Sequence, residues 1–472
     1  MQLYKHQQDA VERATDGNLA LFHECGTGKT LTALRIIEYW KEKGDRYNTA
    51  NRRNATSPSF SALVVCPLSI IEPAWMADAK KFSPSLTVVS LWAKARKKRL
   101  AALASDADVY VVNFETFRGM FEEIQAKGFG VLIVDESSKM KSHSSQTTRA
   151  LLALAGVSSR GKGKKFPIGG IIPHRYVLSG TPAPNDRGEY WAQMNFIAPN
   201  TVFSDNFFAF RSRYFVAKPL GRTGINLWSF TKDPLLATEF SEKMAPCCDV
   251  VSKADAVDLP QQIHEIRSVE LSKPERTAYE TFRRQLALRF ANEDILASSA
   301  LVEVMKARQL TSGFCYGANG THRVGKSKLT ELLALLQEIG NRPVIIWCSF
   351  RHEIQSLLDA LPHSAALWSG TDDRNEVIGG FQNGTYQYLI ANPQSAAHGL
   401  TFVNCSYAVY FSLTYSYELA KQSQDRIHRI GQQNKCTYYY LIAKDTIDEV
   451  VYAAVREKKK LSEAVLGYLK KT

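Results

Sequence analysis

The sequence predicts an α/β fold of two lobes in tandem, each built on a parallel β-sheet, with a small middle insert. Short apolar runs recur in both halves of the chain, with helical patterns between them. The runs are continuous rather than alternating, which is typical of parallel strands covered on both faces. At 472 residues the chain can hold two to three domains with cores of their own. We place the first lobe at 1–199, the insert at 200–320 and the second lobe at 321–472.

The first lobe opens with the apolar run at 19–22, a predicted strand. Further strands are predicted where such runs recur, at LVVC 63–66, VYVVN 109–113, VLIVD 131–135 and RYVLS 175–179. The polar segments 47–61 and 158–170 are predicted surface loops. The second is glycine-rich and basic, and the sequence leaves open whether it is a solvated loop or touches a phosphate backbone.

The middle segment is less regular than the lobes. Its aromatic and basic stretch at 203–215 is expected to form the core of a small insert rather than to stack on bases. HEIRSVEL at 264–271 is a predicted strand, and the chain is predicted to be helical from Pro274 to about Gln309. The strands of the second lobe are predicted at 343–349, 364–370, 388–392, 408–412 and 437–443.

Composition narrows the class of protein. A formal charge of +13 favours a polyanionic partner, and a basic protein without such a partner is the alternative. No apolar run approaches the roughly 18 residues of a membrane span, and no charged-then-apolar signal segment opens the chain. The eight cysteines are scattered, which favours reduced thiols over a disulfide framework or a zinc site. The sequence therefore predicts a cytoplasmic protein that is neither secreted nor bound to a membrane.

A Gly-rich turn, HECGTGKT at 23–30, joins the first predicted strand to a helix that begins at Lys29. Gly26 and Gly28 let backbone N–H groups converge on an anion at the positive end of that helix. Lys29 is placed to reach the β- and γ-phosphates of a nucleotide, and the Thr30 hydroxyl to hold magnesium. The usual pattern begins with Gly where this chain has His23.

Two adjacent carboxylates follow the predicted strand at 131–134. At the carboxyl end of a parallel strand they would face the phosphate loop. Asp135 is expected to hold the magnesium ion, and Glu136 to polarise a water for in-line attack on the γ-phosphate.

The segment QSQDRIHRIGQ at 422–432 holds two arginines. On a helix, Gln422, Arg426 and Arg429 would share one face. Such a pair is either a solvated stripe or a pair of fingers that neutralise charge on a γ-phosphate. The hydroxyl-bearing turn Ser179–Pro182, at another strand end, would be a structural turn when taken alone.

Taken in order, these motifs resemble the Swi/Snf-type motor ATPases of helicase superfamily two, in particular a compact bacterial or phage-like member. The resemblance covers nearly the whole chain, and QSQDRIHRIGQ is its most specific part. It implies two RecA-like lobes, ATP and Mg²⁺ as cofactors, and duplex or branched DNA as the partner. It also implies that Arg426 and Arg429 are arginine fingers acting with Lys29 and Glu136.

The resemblance extends to binding residues. LYKHQ at 3–7 is similar to the family's opening motif and implies that Gln7 contacts adenine. The implied ATP-binding set is Gln7, Gly26, Thr27, Gly28, Lys29 and Thr30. VVCPLSIIEPAW at 64–75 and NFETF at 113–117 resemble motifs that line the DNA track, and LSGTPAPN at 178–185 resembles the motif that couples the ATP site to DNA. These matches imply DNA contacts by Ser69, Thr116 and Thr181.

Three positions depart from the family pattern. His23 replaces an acidic residue or Gly, Ser138 replaces a His, and SAAHGLTF at 395–402 has alanines where remodellers usually carry a Gly pair. None of these departures removes a residue that the resemblance assigns to ATP hydrolysis, so we expect an active ATPase.

The expected function is ATP-dependent translocation on double-stranded DNA, with hydrolysis between the lobes driving the remodelling of protein–DNA complexes or branched DNA. One alternative is a helicase that separates strands of DNA or RNA, but no wedge element can be identified in the sequence. The other alternative is a nucleic-acid-binding scaffold in which ATP acts as a switch. The presence of both arginines and both carboxylates argues against this second alternative.

Overall fold

The computed structural model describes the chain in segments, which are 3–50, 60–140, 142–158, 166–169, 171–184, 186–219, 226–256, 259–285, 287–289, 294–296, 300–396, 400–414 and 416–457. The chain forms two compact units, and the boundary between them falls between residues 258 and 259. The predicted middle insert at 200–320 is therefore divided between the two units. Among the described residues, no helix combines the length and the apolar character needed to cross a membrane.

The first unit is built on a parallel sheet. Its strands are β1 Leu19–His23, β2 Ala62–Cys66, β3 Val88–Ser90, β4 Val109–Asn113, β5 Val131–Asp135, β6 His174–Leu178, β7 Phe215–Pro219, β8 Asn226–Phe230 and β9 Cys248–Val251. Seven of the described strands form the sheet, and all its neighbours are parallel, in the order β3-β4-β2-β5-β6-β1-β9. Strands β7 and β8 form a separate antiparallel hairpin.

Helices of the first unit cover this sheet. They are α1 Lys5–Asp16, α2 Lys29–Ala50, α3 Ala77–Phe82, α4 Arg96–Ala104, α5 Phe114–Gly119, α6 Phe121–Lys127, α7 Gln146–Leu154, α8 Tyr190–Ile197, α9 Phe207–Tyr214, α10 Pro234–Met244 and α11 Lys253–Ala256. Side-chain caps fix several starts: Ser145 accepts from the amide of Thr148 at α7, and Asp233 accepts from the amide of Leu235 at α10. Such caps are typically worth about 1 kcal/mol each.

Two hydrophobic cores lie on the two faces of the sheet. On β1, Ala20 and Phe22 belong to one core, whereas Leu19 and Leu21 belong to the other. Successive strand residues point to opposite faces, so a strand covered on both sides needs apolar residues at every position. This is the physical reason for the continuous apolar runs in the sequence.

The second unit repeats the plan. Its strands are β10 Gln262–Val269, β11 Ala287–Arg289, β12 Asp294–Leu296, β13 Phe314–Gly317, β14 Gly320–Arg323, β15 Val344–Trp347, β16 Ser364–Leu367, β17 Tyr388–Ala391, β18 Tyr407–Tyr410 and β19 Cys436–Ala443. Six of them form a parallel sheet in the order β10-β19-β18-β15-β17-β16. Its helices are α12 Lys273–Gln285, α13 Ala300–Thr311, α14 Ser327–Ile339, α15 Arg351–Ala360, α16 Arg374–Gln382, α17 Pro393–Ala396, α18 Tyr417–Gln424 and α19 Ile447–Arg456.

The predicted α/β fold with two parallel sheets is confirmed, and each predicted strand is present at its predicted place. Strands β3, β7, β8, β9 and β11 to β14 were not predicted. The prediction of continuous helix from Pro274 to Gln309 is wrong, because the hairpin β11–β12 lies between α12 and α13. The predicted loop at 47–61 starts late, since α2 runs to Ala50, and its positions 51–59 lie outside the described residues. Most of the predicted basic loop, 159–165 and 170, lies outside them as well.

Candidate functional site

The carboxyl ends of four neighbouring strands hold the predicted catalytic segments. In the first sheet β5, β6, β1 and β9 are adjacent and parallel, so the segments that follow them share one edge. These segments contain the phosphate loop after β1, the carboxylates after β5 and the hydroxyl-bearing turn after β6. Ligands of open α/β sheets bind at this edge.

The phosphate loop has the backbone that its glycines predict. Gly26 and Gly28 have φ values of 87° and 85°, in the left-handed region that favours glycine. Helix α2 begins directly after them at Lys29. The Lys29 ammonium donates to the carbonyl oxygens of His23 at 2.8 Å and Glu24 at 3.1 Å. A cation held across a loop at a helix N-terminus forms a site for a phosphate anion.

The start of α1 lies against this loop. The Gln7 amide nitrogen donates to the carbonyl oxygens of Thr27 at 3.3 Å and Gly28 at 3.4 Å, and its oxygen accepts from the amide of Tyr4 at 3.0 Å. A Cβ atom at Gly28 would lie 2.4 Å from the Gln7 amide nitrogen. Gln7 is therefore seated against the phosphate loop by hydrogen bonds to its backbone, at a position whose left-handed φ favours glycine. Its predicted contact with adenine stays a prediction.

His23 and Asp249 form a buried pair beside the loop. The His23 ring nitrogen Nε2 lies 2.5 Å from one carboxylate oxygen of Asp249, and Arg13 lies 2.5 Å from the other. Burial lowers the pKa of His23, and the Asp249 carboxylate opposes that effect. Burial favours a raised pKa at Asp249, but hydrogen bonds and charges from His23 and Arg13 hold that pKa below its ordinary value. This partner of His23 was not predicted, because Asp249 lies on strand β9, which the sequence analysis missed.

Asp135 is a buried carboxylate at the end of β5, with 7% of its surface exposed. One carboxylate oxygen accepts from the Trp75 indole at 3.0 Å, and the other accepts from the amide of Glu136 at 2.9 Å. Burial raises the pKa of Asp135, while the positive charge of Lys29 and the Trp75 hydrogen bond act against that rise. A further cation near Asp135 would therefore stabilise its ionised form.

Glu136 has a left-handed backbone with φ of 53°. For an L-residue other than glycine this conformation costs about 1–2 kcal/mol. Strained residues of this kind concentrate at functional sites, where the surrounding structure holds them in place.

The turn after β6 touches the phosphate loop. The amide of Thr181 donates to the Ser179 hydroxyl at 3.1 Å, which closes the turn. A Cβ atom at Gly180 would lie 2.6 Å from Cys25 Sγ and 2.9 Å from Cys25 N. Only glycine at this position allows the turn to approach the loop so closely.

The two arginines of the second unit share one partner but do not lie on a helix. The prediction that Gln422, Arg426 and Arg429 line one helix face is wrong in this respect, because α18 ends at Gln424. Beyond Gln424 the amides of Arg426 and Ile427 donate to the carbonyls of Ser423 and Gln424, three residues back, and the carbonyl of Arg426 accepts from the amide of Phe402 at 2.9 Å. The guanidinium groups of Arg426 and Arg429 both donate to the carbonyl of Leu400, at 2.9 and 3.0 Å. The structure thus brings the two predicted fingers together on a turn.

The three predicted DNA contacts differ in exposure. Ser69 is exposed after β2, whereas Thr116 is only 4% exposed on α5. The Thr181 hydroxyl oxygen is buried and has no hydrogen-bond partner within the described part of the chain. The DNA-binding roles of these residues stay predictions.

Comparison with known families identifies the fold and its class. Residues 7–314 match the SNF2-related domain. The chain belongs to the SNF2-related family. Residues 327–431 match the helicase conserved C-terminal domain, and this range contains the strands β15 to β18 of the second sheet. The predicted resemblance is confirmed: the protein is a Swi/Snf-type ATPase of helicase superfamily two. Its two parallel sheets are the two RecA-like lobes of this family, whose members are nucleic-acid-dependent ATPases.

Similar proteins include viral and cellular members. Protein p41 of Acyrthosiphon pisum secondary endosymbiont phage 1 is 27% identical over 465 residues, which are 94% of this chain and 94% of p41. ATP-dependent helicase brm of Drosophila melanogaster is 23% identical over 491 residues, covering 95% of this chain and 28% of brm. The chain thus spans less than a third of brm, whereas it spans nearly all of p41. The solved Sulfolobus solfataricus SWI2/SNF2 ATPase core in complex with dsDNA is 18% identical, with a TM-score of 0.44 and coverage of 97% of this chain and 91% of that chain.

Proposed function

We propose that this protein is an ATP-dependent translocase on double-stranded DNA, which remodels protein–DNA complexes or branched DNA. The observation that carries the proposal is that the phosphate loop, the carboxylates Asp135 and Glu136 and the hydroxyl-bearing turn after β6 lie at one edge of the first sheet. The paired arginines of the second RecA-like lobe supply the other part of a two-lobe ATPase. Hydrolysis with fingers from a second lobe links the chemistry to motion between lobes.

The phosphate loop is suited to the triphosphate of ATP. Its glycines turn backbone N–H groups toward the start of α2, and Lys29 already lies across the loop at hydrogen-bond distance from two carbonyls. A bound γ-phosphate would attract the Lys29 ammonium away from those carbonyl oxygens, because an acceptor of opposite charge binds a cation more strongly than an uncharged acceptor does. Lys29 therefore acts as the group that receives the β- and γ-phosphates.

The residues present fit a magnesium ion. Thr30 offers a hydroxyl in the first turn of α2, and Asp135 offers a buried carboxylate whose ionised form a further nearby cation would stabilise. The described residues hold no cluster of three His, Cys, Asp or Glu side chains suited to a metal. This agrees with Mg²⁺, which is bound through one or two protein oxygens together with substrate phosphates and water. When bound, Mg²⁺ would neutralise charge on the transferred phosphoryl group.

Glu136 is the group that orients the attacking water. Its neighbour Asp135, which is held by Trp75 and a backbone amide, is proposed to bind the magnesium ion, so the two carboxylates divide the work. Arg426 and Arg429, which share the Leu400 carbonyl, are proposed to stabilise the charge that develops on the γ-phosphate. Both guanidinium groups are bonded to a carbonyl oxygen, an acceptor that carries no full charge of its own, and a phosphate would be the stronger acceptor.

Duplex DNA is proposed as the partner because of charge and family. The formal charge of +13 supplies an electrostatic attraction for a phosphate backbone. Binding of this kind depends little on sequence and strongly on salt.

The proposal is tested by steady-state ATP hydrolysis without nucleic acid and with single-stranded DNA, duplex DNA, branched DNA or RNA. We expect strong stimulation by duplex or branched DNA. Glu136→Gln should lower turnover by about 10²–10⁴-fold, the usual contribution of a general base. Glu122→Gln, the same change on the exposed surface of α6, should leave turnover unchanged.

Other outcomes would change the assignment. Stimulation by single strands or RNA alone would favour a strand-separating helicase. Slow turnover that no nucleic acid accelerates would contradict a motor and favour an ATP-operated switch.

A further inference from the structure

Gln193 connects the carboxylate segment to the turn after β6. It lies on α8 with its side chain fully buried. Its amide oxygen accepts from the Ser137 hydroxyl at 2.6 Å. Its amide nitrogen donates to the carbonyl oxygens of Pro182 at 2.8 Å and Glu189 at 3.1 Å. Because Ser137 follows Glu136 and Pro182 follows Thr181, one side chain bonds to both segments.

The orientation of this amide is fixed by its partners. Two carbonyl oxygens face the amide nitrogen, so a flipped amide would oppose oxygen to oxygen at both contacts. Each buried bond that is lost leaves a polar group unsatisfied at a cost of about 1–3 kcal/mol. Gln193 therefore holds the two segments at a defined separation.

The helix that carries Gln193 is a rigid support. Its residues from Trp191 to Ile197 are buried, and Trp191, Met194 and Phe196 belong to the core on one face of the sheet. A movement of either loop is thus opposed by the helix rather than absorbed by it.

The contact chain also includes the phosphate loop. Gly180, two residues before Pro182, lies against Cys25, because a Cβ atom added at Gly180 would be only 2.6 Å from Cys25 Sγ. Glu136, one residue before Ser137, has the strained backbone with φ of 53°. A shift of the turn at 179–182 would therefore reach the loop through Gly180 and the carboxylate segment through Gln193.

We propose that Gln193 is a positioning residue that transmits DNA engagement at the turn 179–182 to Glu136. The inference rests on the proposed function, in which that turn couples DNA to the ATP site. Among the described residues, the Gln193 amide is hydrogen-bonded to Ser137, Pro182 and Glu189, none of which belongs to the phosphate loop or to the predicted nucleotide contacts, and it acts through the hydroxyl of Ser137. Its loss uncouples the ATPase from DNA rather than abolishing nucleotide binding.

The test compares Gln193→Met with wild type in the ratio of ATP turnover with saturating duplex DNA to turnover without DNA. Methionine has similar length and no hydrogen-bonding amide. The ratio should fall by about tenfold or more, because displacing a catalytic group by about 1 Å can cost about 10²-fold in rate. The KM for ATP should stay within about twofold of wild type, because the substitution removes no contact that binds ATP in the ground state.

The matched control lies on the same helix. The Asn195 amide donates to the carbonyls of Trp191 and Ser204, and its oxygen accepts from the amide of Asn200. None of these partners belongs to the loops of the site. Asn195→Leu should destabilise the fold to a similar degree, as thermal melting would show, and should keep the wild-type stimulation ratio.

A second variant tests the same connection from the other side. Ser137→Ala removes the hydroxyl that Gln193 accepts from, and it decides the question if Gln193→Met fails to fold. In the double variant the loss of stimulation should not exceed that of the stronger single variant, because both act on one interaction.

The outcomes separate the two proposals. An unstimulated wild type would refute the proposed function, whereas a stimulated wild type with an equally stimulated, folded Gln193→Met would refute the role of Gln193 alone. Equal loss of stimulation in Asn195→Leu would also refute it, because the effect would then follow general stability.

Discussion

At the scale of single residues, Arg426 and Arg429 differ in a way that separates catalysis from folding. Arg426 is 6% exposed and also donates from Nε to the carbonyl of Gln422 at 2.9 Å, so it fixes the turn after α18. Arg429 is only partly buried. Lysine keeps the charge at either position but loses the planar fork of donors.

We expect Arg429→Lys to lower DNA-stimulated turnover by about a hundredfold with little change in stability, given the 10³–10⁵-fold contributions of arginine fingers. Arg426→Lys should lower turnover and also the free energy of unfolding, by about 1–3 kcal/mol for its buried hydrogen bonds.

Phosphate release measures the turnover of both variants, and denaturant melting measures their free energy of unfolding. Arg342→Lys, at an exposed site beside Tyr407, is the control. Full activity in Arg429→Lys would exclude it as a finger.

His23 gives the molecule a dependence of stability on pH near neutrality. Because burial lowers its pKa below the ordinary value of 6.5, the unfolded chain binds a proton at a pH where the folded chain does not. Stability is therefore lost as the pH falls through 6.5 toward the lower pKa of the folded state. Asp249, whose pKa is also lowered, contributes a loss only in more acidic solution.

His23→Asn removes the titrating ring from this site. The fall in melting temperature between about pH 7.5 and about pH 5.5 should therefore be smaller in the variant than in wild type. Scanning calorimetry at a series of pH values measures the difference. An identical fall in both proteins would show that His23 does not titrate on unfolding.

At the scale of elements, the approach of the turn after β6 to the phosphate loop depends on Gly180. An alanine there would place its Cβ 2.9 Å from the backbone nitrogen of Cys25, a contact that no side-chain rotation relieves. Gly180→Ala should displace the loop, raise the KM for ATP and lower turnover by about tenfold or more. Gly119→Ala is the control, because nothing lies within 4 Å of a Cβ at that position on α5. Unchanged kinetics in Gly180→Ala would mean that the two segments move independently.

The elements also show where sequence reasoning succeeds. Strands buried on both faces require continuous apolar runs, and those runs located the two sheets and the carboxyl edge that holds Lys29, Asp135 and Glu136. Strand β9 escaped prediction because Asp249 interrupts its apolar run. That carboxylate is tolerated through His23 and Arg13, which lie more than 220 residues away in the chain.

Other features depend on contacts that no local pattern contains. Helix α18 ends at Gln424, whereas periodicity alone continues it through Arg429, and the carbonyl of Arg426 bonds instead to the distant amide of Phe402. Gln193 has nothing in its neighbourhood in the sequence that distinguishes it from any buried helix residue. Only the folded chain brings Ser137 and Pro182 to its amide.

At the scale of the whole molecule, the excess positive charge predicts how binding responds to salt. If the protein tracks a phosphate backbone, the logarithm of its affinity for duplex DNA should fall linearly with the logarithm of salt concentration, with a slope of about −0.9 for each phosphate contacted. Two duplexes of equal length and unrelated sequence should give the same slope and affinity. Fluorescence anisotropy measures both. A salt-independent or sequence-selective affinity would contradict a track made of phosphate contacts.

The division of the chain into two units makes the second lobe separable from the nucleotide-binding one. A fragment of residues 1–258 keeps the whole first sheet, including β9. A fragment of residues 1–199 lacks β9, so His23 loses its carboxylate partner and the amide of Glu24 loses the carbonyl of Val251. Each of these buried losses costs about 1–3 kcal/mol.

We therefore expect the 1–258 fragment to melt cooperatively and to bind a fluorescent ATP analogue, and the 1–199 fragment to melt at a lower temperature or to aggregate. Because Arg426 and Arg429 lie in the other unit, DNA should not stimulate hydrolysis by the 1–258 fragment. Circular dichroism, nucleotide titration and phosphate release measure these properties. Equal stability of the two fragments would show that β9 is dispensable for the first lobe. Full DNA-stimulated turnover by the 1–258 fragment would show that the arginines of the second lobe take no part in hydrolysis.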